Sequence, residues 1–268
     1  MRGPRFPGAA ATPRLPHRAD SATNRPKIGY AGATPRGARG HGQKTERMII
    51  LHHLNDSRSQ RILWLLEELG LEYRVEKYLR DPATLRAPPG LRALHPLGKL
   101  PVIVDGDLVL AESGAIVEYV LERYGEGRLV PPAGTPERLR YLYWMHYAEG
   151  SAMTPLLVKF IFDRIETGPV PFFLRPVVRG LARAVKGKFA QPEIECHLDF
   201  LEASLGDSTW FAGEALTGAD ILLSFPLQVA AAQAGLDARR PRLVAFLQRV
   251  AARPAWQRGV ERGGPYGL

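Results

Sequence analysis

His95-Pro96-Leu97-Gly98-Lys99-Leu100-Pro101-Val102-Ile103 and, a few residues on, Leu110-Ala111-Glu112-Ser113-Gly114-Ala115-Ile116 decide the reading of this chain. Two short apolar runs, Val102–Val104 and Leu108–Leu110, flank Asp105-Gly106-Asp107, the composition of a hairpin turn. Pro101 opens the first of these strands, where its missing N–H costs no ladder bond. Glu112-Ser113 falls where the second strand gives way to a helix. A hydroxyl, a carboxylate and free N–H groups therefore meet at a positive helix end. That combination suits a small zwitterion carrying both amine and carboxylate.

Working outward, Met48–His52 is a short β-prone run, and Arg61–Leu69 sets Ile62, Leu65, Leu66 and Leu69 on one helical face ended by Gly70. Tyr73–Tyr78 reads as a second strand. Prolines at 82, 88 and 89 leave Arg80–Leu94 as a loop with at most one short helix. The helix Ser113–Tyr124 turns Ile116, Val117, Val120 and Leu121 inward. This strand–helix–strand opening implies a parallel pair within an α/β layer of about 80 residues. Beyond the Gly- and Pro-rich stretch Gly125–Pro136 no strand pattern follows. Helices are expected over Glu137–Phe162 (long, or interrupted near Pro155), Phe172–Lys188, Pro192–Leu205, Asp220–Ala234 and Arg242–Arg253. Thr217-Gly218-Ala219-Asp220 has the hydroxyl-x-x-acid spacing that ties down a helix start. The expected class is α/β plus all-α, with domains over 48–126 and 136–262 joined by a linker over 127–135.

The net charge of +9 is unevenly distributed. Residues 1–47 carry ten Lys/Arg against Asp20 and Glu46, leaving 26 basic and 25 acidic residues in the rest. The folded part is nearly neutral, so no nucleic-acid partner is expected. Six prolines in 1–47 oppose the amphipathic helix of a transit peptide, and the segment reads as a disordered basic extension, a mis-start or appendage ahead of Met48. The lone Cys196 excludes an internal disulfide and is read as a small core residue beside Ile194, Leu198 and Leu201. No apolar run reaches the ~18 residues of a membrane span, and no secretory signal is present, so a cytoplasmic chain is expected.

Taken together, the β-α-β-β-β-α order, Leu100-Pro101, Glu112-Ser113 and Thr217–Asp220 resemble the cytosolic-type glutathione transferases. Five further blocks are similar to a fungal and bacterial branch of that family that includes an endoplasmic-reticulum-associated yeast transferase. They are Ser57–Leu66, Leu85–Pro89, His95–Gly98, Tyr147–Ser151 and Gly218–Leu227. The resemblance spans roughly residues 48–262. It implies a thioredoxin-like N-terminal domain that binds glutathione, a helical domain that supplies a hydrophobic co-substrate pocket, and a homodimer. It further implies that Leu100 pairs its backbone with the cysteinyl part of glutathione and that Pro101 is cis. By the same resemblance Glu112 and Ser113 hold the γ-glutamyl amine and carboxylate, with Lys99 near the glycyl end. Glutathione is then a co-substrate, and neither a cofactor nor a metal is expected.

A thiol of ordinary pKa, ~8.5, is mostly protonated at neutral pH, and its attack is promoted by a hydrogen bond to S⁻ at a helix N-terminus. The loop Leu54–Ser59 offers both. Ser57 is the candidate donor, with Asn55 and Ser59 as rivals; the competing reading makes Ser57 or Asp56 a plain helix cap. The loop holds no tyrosine or cysteine, which argues against the Tyr- and Cys-type branches. The implied reaction is conjugation of glutathione to a hydrophobic electrophile. The alternatives are glutathione-dependent peroxide or disulfide reduction, or a non-catalytic ligand- or protein-binding role.

Other polar and aromatic features have plainer readings. His52 and His53 face opposite sides of a strand and find no further metal ligands, and His95 reads as a loop residue bonding backbone. Tyr141, Tyr143, Trp144 and Tyr147 are read as core or dimer interface, with some facing the co-substrate pocket. The basic helix within Leu174–Lys188 is read as a solvated charged face in preference to a membrane-surface contact.

Overall fold

The computed structural model describes residues 48–81, 84, 87–264 and 267. The basic extension over 1–47 and positions 85 and 86 of the Leu85–Pro89 block lie outside the described residues. The α/β layer runs β1 (Ile49–Leu54), α1 (Gln60–Leu69), β2 (Tyr73–Tyr78), α2 (Leu91–Leu94), β3 (Val102–Asp105), β4 (Leu108–Ala111) and α3 (Ser113–Tyr124). Its four-stranded sheet has the order β2-β1-β3-β4, with β1 and β2 parallel and the remaining pairs antiparallel. The parallel pair is the one expected from the strand–helix–strand opening. One correction concerns the hairpin. Asp105 belongs to β3 and pairs with Leu108, so the turn is only Gly106-Asp107. The buried Asp105 carboxylate accepts from the Tyr119 and Tyr124 hydroxyls, both at 2.5 Å, which holds it in the strand against α3.

The helical half comprises α4 (Pro136–Tyr147), α5 (Met153–Thr167), α6 (Arg175–Val185), α7 (Gln191–Leu205), α8 (Gly218–Gln233), α9 (Pro241–Ala251) and α10 (Pro254–Gly263). Helix α8 is its centre, buried from Gly218 through Leu227, as a helix apolar on all sides must be. Asp220 ties its start. The carboxylate accepts from Thr217 N (2.8 Å), Thr217 Oγ1 (2.7 Å) and Phe211 N (2.8 Å), although burial pushes its pKa up to about 6. Gly218 has to be glycine. A Cβ there would lie 2.7 Å from Leu121 Cδ1 and 2.9 Å from Val117 Cγ1, so α8 and α3 meet where no side chain fits.

Several sequence expectations are corrected. The break after α4 is a π-helical turn, Ala148–Ala152, and Pro155 sits in the first turn of α5, where proline is tolerated. Cys196 is exposed, because the buried stripe of α7 is Ile194, Leu198, Leu201 and Leu205 and Cys196 lies on its far side. Tyr141, Trp144 and Tyr147 are buried while Tyr143 is half exposed, which sorts the aromatic run mainly into core. His95 bonds backbone through its own main chain, its N–H donating to the Leu91 carbonyl (3.0 Å) and its C=O accepting from Gly98 N (2.8 Å), while its ring Nδ1 has no partner among the described residues. Helix α10 was not expected as a separate element. It packs along α1, with Arg258 on Glu67 (2.7 Å), Arg253 on Glu68 (2.9 Å) and Trp256 edge-on to Trp64 at 5.5 Å. Among the described residues no helix is long and apolar enough to cross a membrane.

Candidate functional site

Three segments converge around the start of α1: the β1–α1 loop, the approach to β3, and the β4–α3 junction. At the junction Glu112 is exposed and takes φ 70°, ψ 120°, a conformation rare for a residue with a Cβ. Non-glycine residues held this way concentrate at functional sites, where the surrounding structure enforces a geometry the local backbone resists. Ser113 follows, 5 % exposed, as the first residue of α3, so its hydroxyl and the unbonded N–H groups of the first turn share one point. The Leu100–Pro101 bond is cis, as the resemblance implied. Pro101 is buried, Leu100 half-buried and Lys99 exposed.

Behind Ser113 stands a residue that sequence reasoning did not single out. Arg61 is only 1 % exposed, yet it carries a full charge into the seam between the α/β layer and the helices. Its guanidinium donates to Ser113 Oγ at 3.2 Å and to the Leu222 carbonyl of α8 at 2.8 Å, and it pairs with Glu149. Glu149 lies on the π-helical turn, whose extra residue aims the carboxylate at both Arg61 and Arg58, the latter at 3.6 Å. The Phe225 ring lies 5.4 Å from the same guanidinium. One buried arginine thus joins α1, α3, α8 and the π turn, and orients the serine hydroxyl at the helix start. Arg61 stands immediately ahead of the apolar stretch Ile62–Leu66, a position that in sequence does not set it apart from a solvent-facing arginine.

The β1–α1 loop is densely hydrogen-bonded. Ser57 Oγ donates to the Leu54 carbonyl (2.8 Å), accepts from Ser59 N (3.2 Å) and lies 2.7 Å from Ser59 Oγ. Ser59 is fully buried. Its hydroxyl reaches the Leu54 carbonyl (3.1 Å) and His53 Nδ1 (2.9 Å) and accepts from Leu54 N (3.2 Å). Asn55 is half-buried and used to fasten the loop to β2: its Nδ2 donates to Asp56 at 2.9 Å and its Oδ1 accepts from Arg80 N at 3.0 Å. The formal cap position of α1 is Ser59, whose side chain makes no capping bond, and neither Ser57 nor Asp56 occupies that position. His52 bonds Tyr78 OH at 2.8 Å on the other face of the sheet from His53. No cluster of His, Cys, Asp and Glu suited to a metal occurs among the described residues.

A thioredoxin-like sheet with a cis-proline ahead of β3, an acidic-serine helix start and an all-helical second half defines a glutathione-transferase architecture. The comparisons agree. Residues 46–122 match the glutathione S-transferase N-terminal domain, and residues 184–254 match the C-terminal domain. A Schizosaccharomyces pombe protein named glutathione S-transferase 3 is 35% identical over 217 residues, 80% of this chain and 88% of that one. A glutathione S-transferase structure from Actinobacillus pleuropneumoniae superposes with TM-score 0.67 at 35% identity, over 81% of this chain and 93% of that one. A sphingomonad glutathione S-transferase solved in complex with glutathione gives TM-score 0.62 at 25% identity, over 80% and 98%. This chain belongs to the glutathione S-transferase family.

Proposed function

We propose that the protein conjugates glutathione to a hydrophobic electrophile. In this reading residues 48–126 bind glutathione, 127–135 are the linker, and 136–262 supply the co-substrate side. Glu112 takes the γ-glutamyl amine and Ser113, with the N–H groups of α3, takes the carboxylate. The Leu100 backbone pairs with the cysteinyl unit beside Pro101, and Lys99 faces the glycyl carboxylate. Ser57 donates to the thiolate. The observation that carries this reading is the strained Glu112 next to an arginine-held Ser113 at a helix N-terminus. Together they offer the paired charges that an amino-acid headgroup requires.

Ser57 is the donor in this reading because its hydroxyl stands at the entry of α1 and, unlike that of Ser59, is not fully enclosed. Ser59 is fully buried, and Asn55 has its side chain drawn along the loop, with one Nδ2 hydrogen on Asp56 and Oδ1 on Arg80 N. Replacing Glu112 by alanine is expected to weaken retention on immobilised glutathione about thirty-fold, ~2 kcal/mol for one charge-assisted contact. Ser59→Ala should be retained almost as the unmodified protein is. Equal retention of the two variants would remove Glu112 from the site.

We place the protein in the cytoplasm as a homodimer. Leu139, Tyr143, Phe160, Ile165 and Phe200 are all at least 41% exposed on α4, α5 and α7, and a second copy of the chain would cover apolar side chains of this kind. Light scattering at micromolar concentration should give twice the chain mass, and a monomer mass would contradict the assembly.

A further inference from the structure

The thiol loop has a buried extension that the proposed chemistry has not used. His53 is 3% exposed, and its Nδ1 lies 2.9 Å from Ser59 Oγ, which lies 2.7 Å from Ser57 Oγ. The chain of three ends on the hydroxyl assigned above to the thiolate. Its far end is sealed by α10. A Cβ on Gly263 would lie 3.2 Å from His53 Nε2 and 2.9 Å from Gln60 Oε1, so glycine is what lets the helix close over the ring. Lys77 of β2 and Asp56 of the loop are the charged groups acting on His53, in opposite directions. Burial dominates, and its pKa is pushed down to about 4, so the ring is neutral at physiological pH.

A neutral imidazole has one N–H, and its position decides which serine proton is free. With the proton on Nε2, Ser59 spends its O–H on His53 and Ser57 must hold the Leu54 carbonyl. With the proton on Nδ1, His53 donates to Ser59 Oγ, and the Ser59 proton passes to the Leu54 carbonyl or to Ser57 Oγ. The first choice replaces Ser57 at the carbonyl, and the second makes Ser57 a stronger donor through a cooperative chain. Only the first releases the Ser57 O–H, so the working state has the His53 proton on Nδ1 and the Ser59 hydroxyl on the Leu54 carbonyl. We propose that His53 and Ser59 form a buried relay that frees and orients the Ser57 hydroxyl toward the sulfur of bound glutathione. His53 and Ser59 are then positioning residues that never touch the substrate. The inference rests on Ser57 being the thiol donor.

The test is an ultraviolet titration of the thiolate of glutathione bound to the full-length protein, together with steady-state kinetics. His53→Phe removes the donor at similar size, and Ser59→Ala breaks the chain at its middle. Each is expected to raise the bound thiol pKa by about half a unit and to lower kcat roughly three-fold below that pKa, with KM for glutathione unchanged. His53→Asn keeps an N–H near the Nδ1 position and should recover most of the loss. If His53→Phe fails to fold, Ser59→Ala carries the same test. Wild-type thiol pKa and kcat in Ser59→Ala or His53→Phe, alongside a raised pKa in Ser57→Ala, would overturn the relay and leave Ser57 in place. An unchanged pKa in Ser57→Ala itself would remove the donor assignment, and the relay with it.

Discussion

Ser57→Ala should lower turnover about ten-fold or more near pH 6.5, and much less near pH 9. A hydroxyl that donates to S⁻ stabilises the charged form and depresses the thiol pKa, and each unit of depression corresponds to ~1.4 kcal/mol. Removing the donor returns the thiol toward its ordinary value of ~8.5, so the thiolate fraction falls steeply at acid pH and hardly at all once the thiol ionises unaided. Binding should change little, because Glu112 and Ser113 are untouched. Stability should also change little. The Leu54 carbonyl that Ser57 leaves still has the Ser59 hydroxyl at 3.1 Å, which limits the loss to about 1 kcal/mol. A pH–rate profile of Ser57→Ala that parallels the unmodified protein, with the steep acid-side loss found in Asn55→Ala instead, would reassign the donor.

The larger structural effect is expected at Arg61. Arg61→Met keeps much of the volume but strands the Leu222 carbonyl and the Ser113 hydroxyl and leaves the part-exposed Glu149 carboxylate with only Arg58, at 3.6 Å. Breaking a buried ion pair from one side costs about 3 kcal/mol or more, which in a chain of this size lowers the melting temperature by roughly 6–12 °C. Arg61→Lys should rescue little. A single ammonium cannot reach groups spread over α3, α8 and the π turn, whereas the guanidinium fork does. Thermal unfolding followed by circular dichroism measures this directly, and an unshifted transition in Arg61→Met would show that the seam is held by apolar packing alone. Glutathione affinity should fall as well, since Ser113 loses the donor that orients it.

Legibility from sequence divides along the range of the interactions involved. The hairpin, the Gly70 stop, the Thr217–Asp220 tie and the Glu112-Ser113 helix start all depend on neighbours within a few residues. Each was readable from the chain. Arg61 was not, because its partners Ser113 and Leu222 are 52 and 161 positions away and no local pattern distinguishes a buried arginine from one that reaches for water. Cys196 went wrong for a related reason. An apolar neighbourhood in sequence is not a helix face, and two residues of helix carry a side chain to the opposite side. The π turn at Ala148–Ala152 also left no signature, since it inserts one residue into otherwise ordinary helical sequence. The loop serines were recognised as donors, but their link to His53 depends on which side chains of β1 point inward together.

The packing of α10 on α1 has a consequence for how the chain is made. Glu68 waits for a partner 185 positions later, and Glu67 for one 191 positions later. A polypeptide emerging from the ribosome therefore completes its α/β sheet long before the outer surface of α1 is covered. Through most of synthesis Trp64 and two acidic side chains face water, or whatever chaperone takes their place. Contacts of such separation form late and slowly, and unfinished intermediates are the species most prone to stick to one another. A chain halted after α9 would leave this stripe of α1 uncovered.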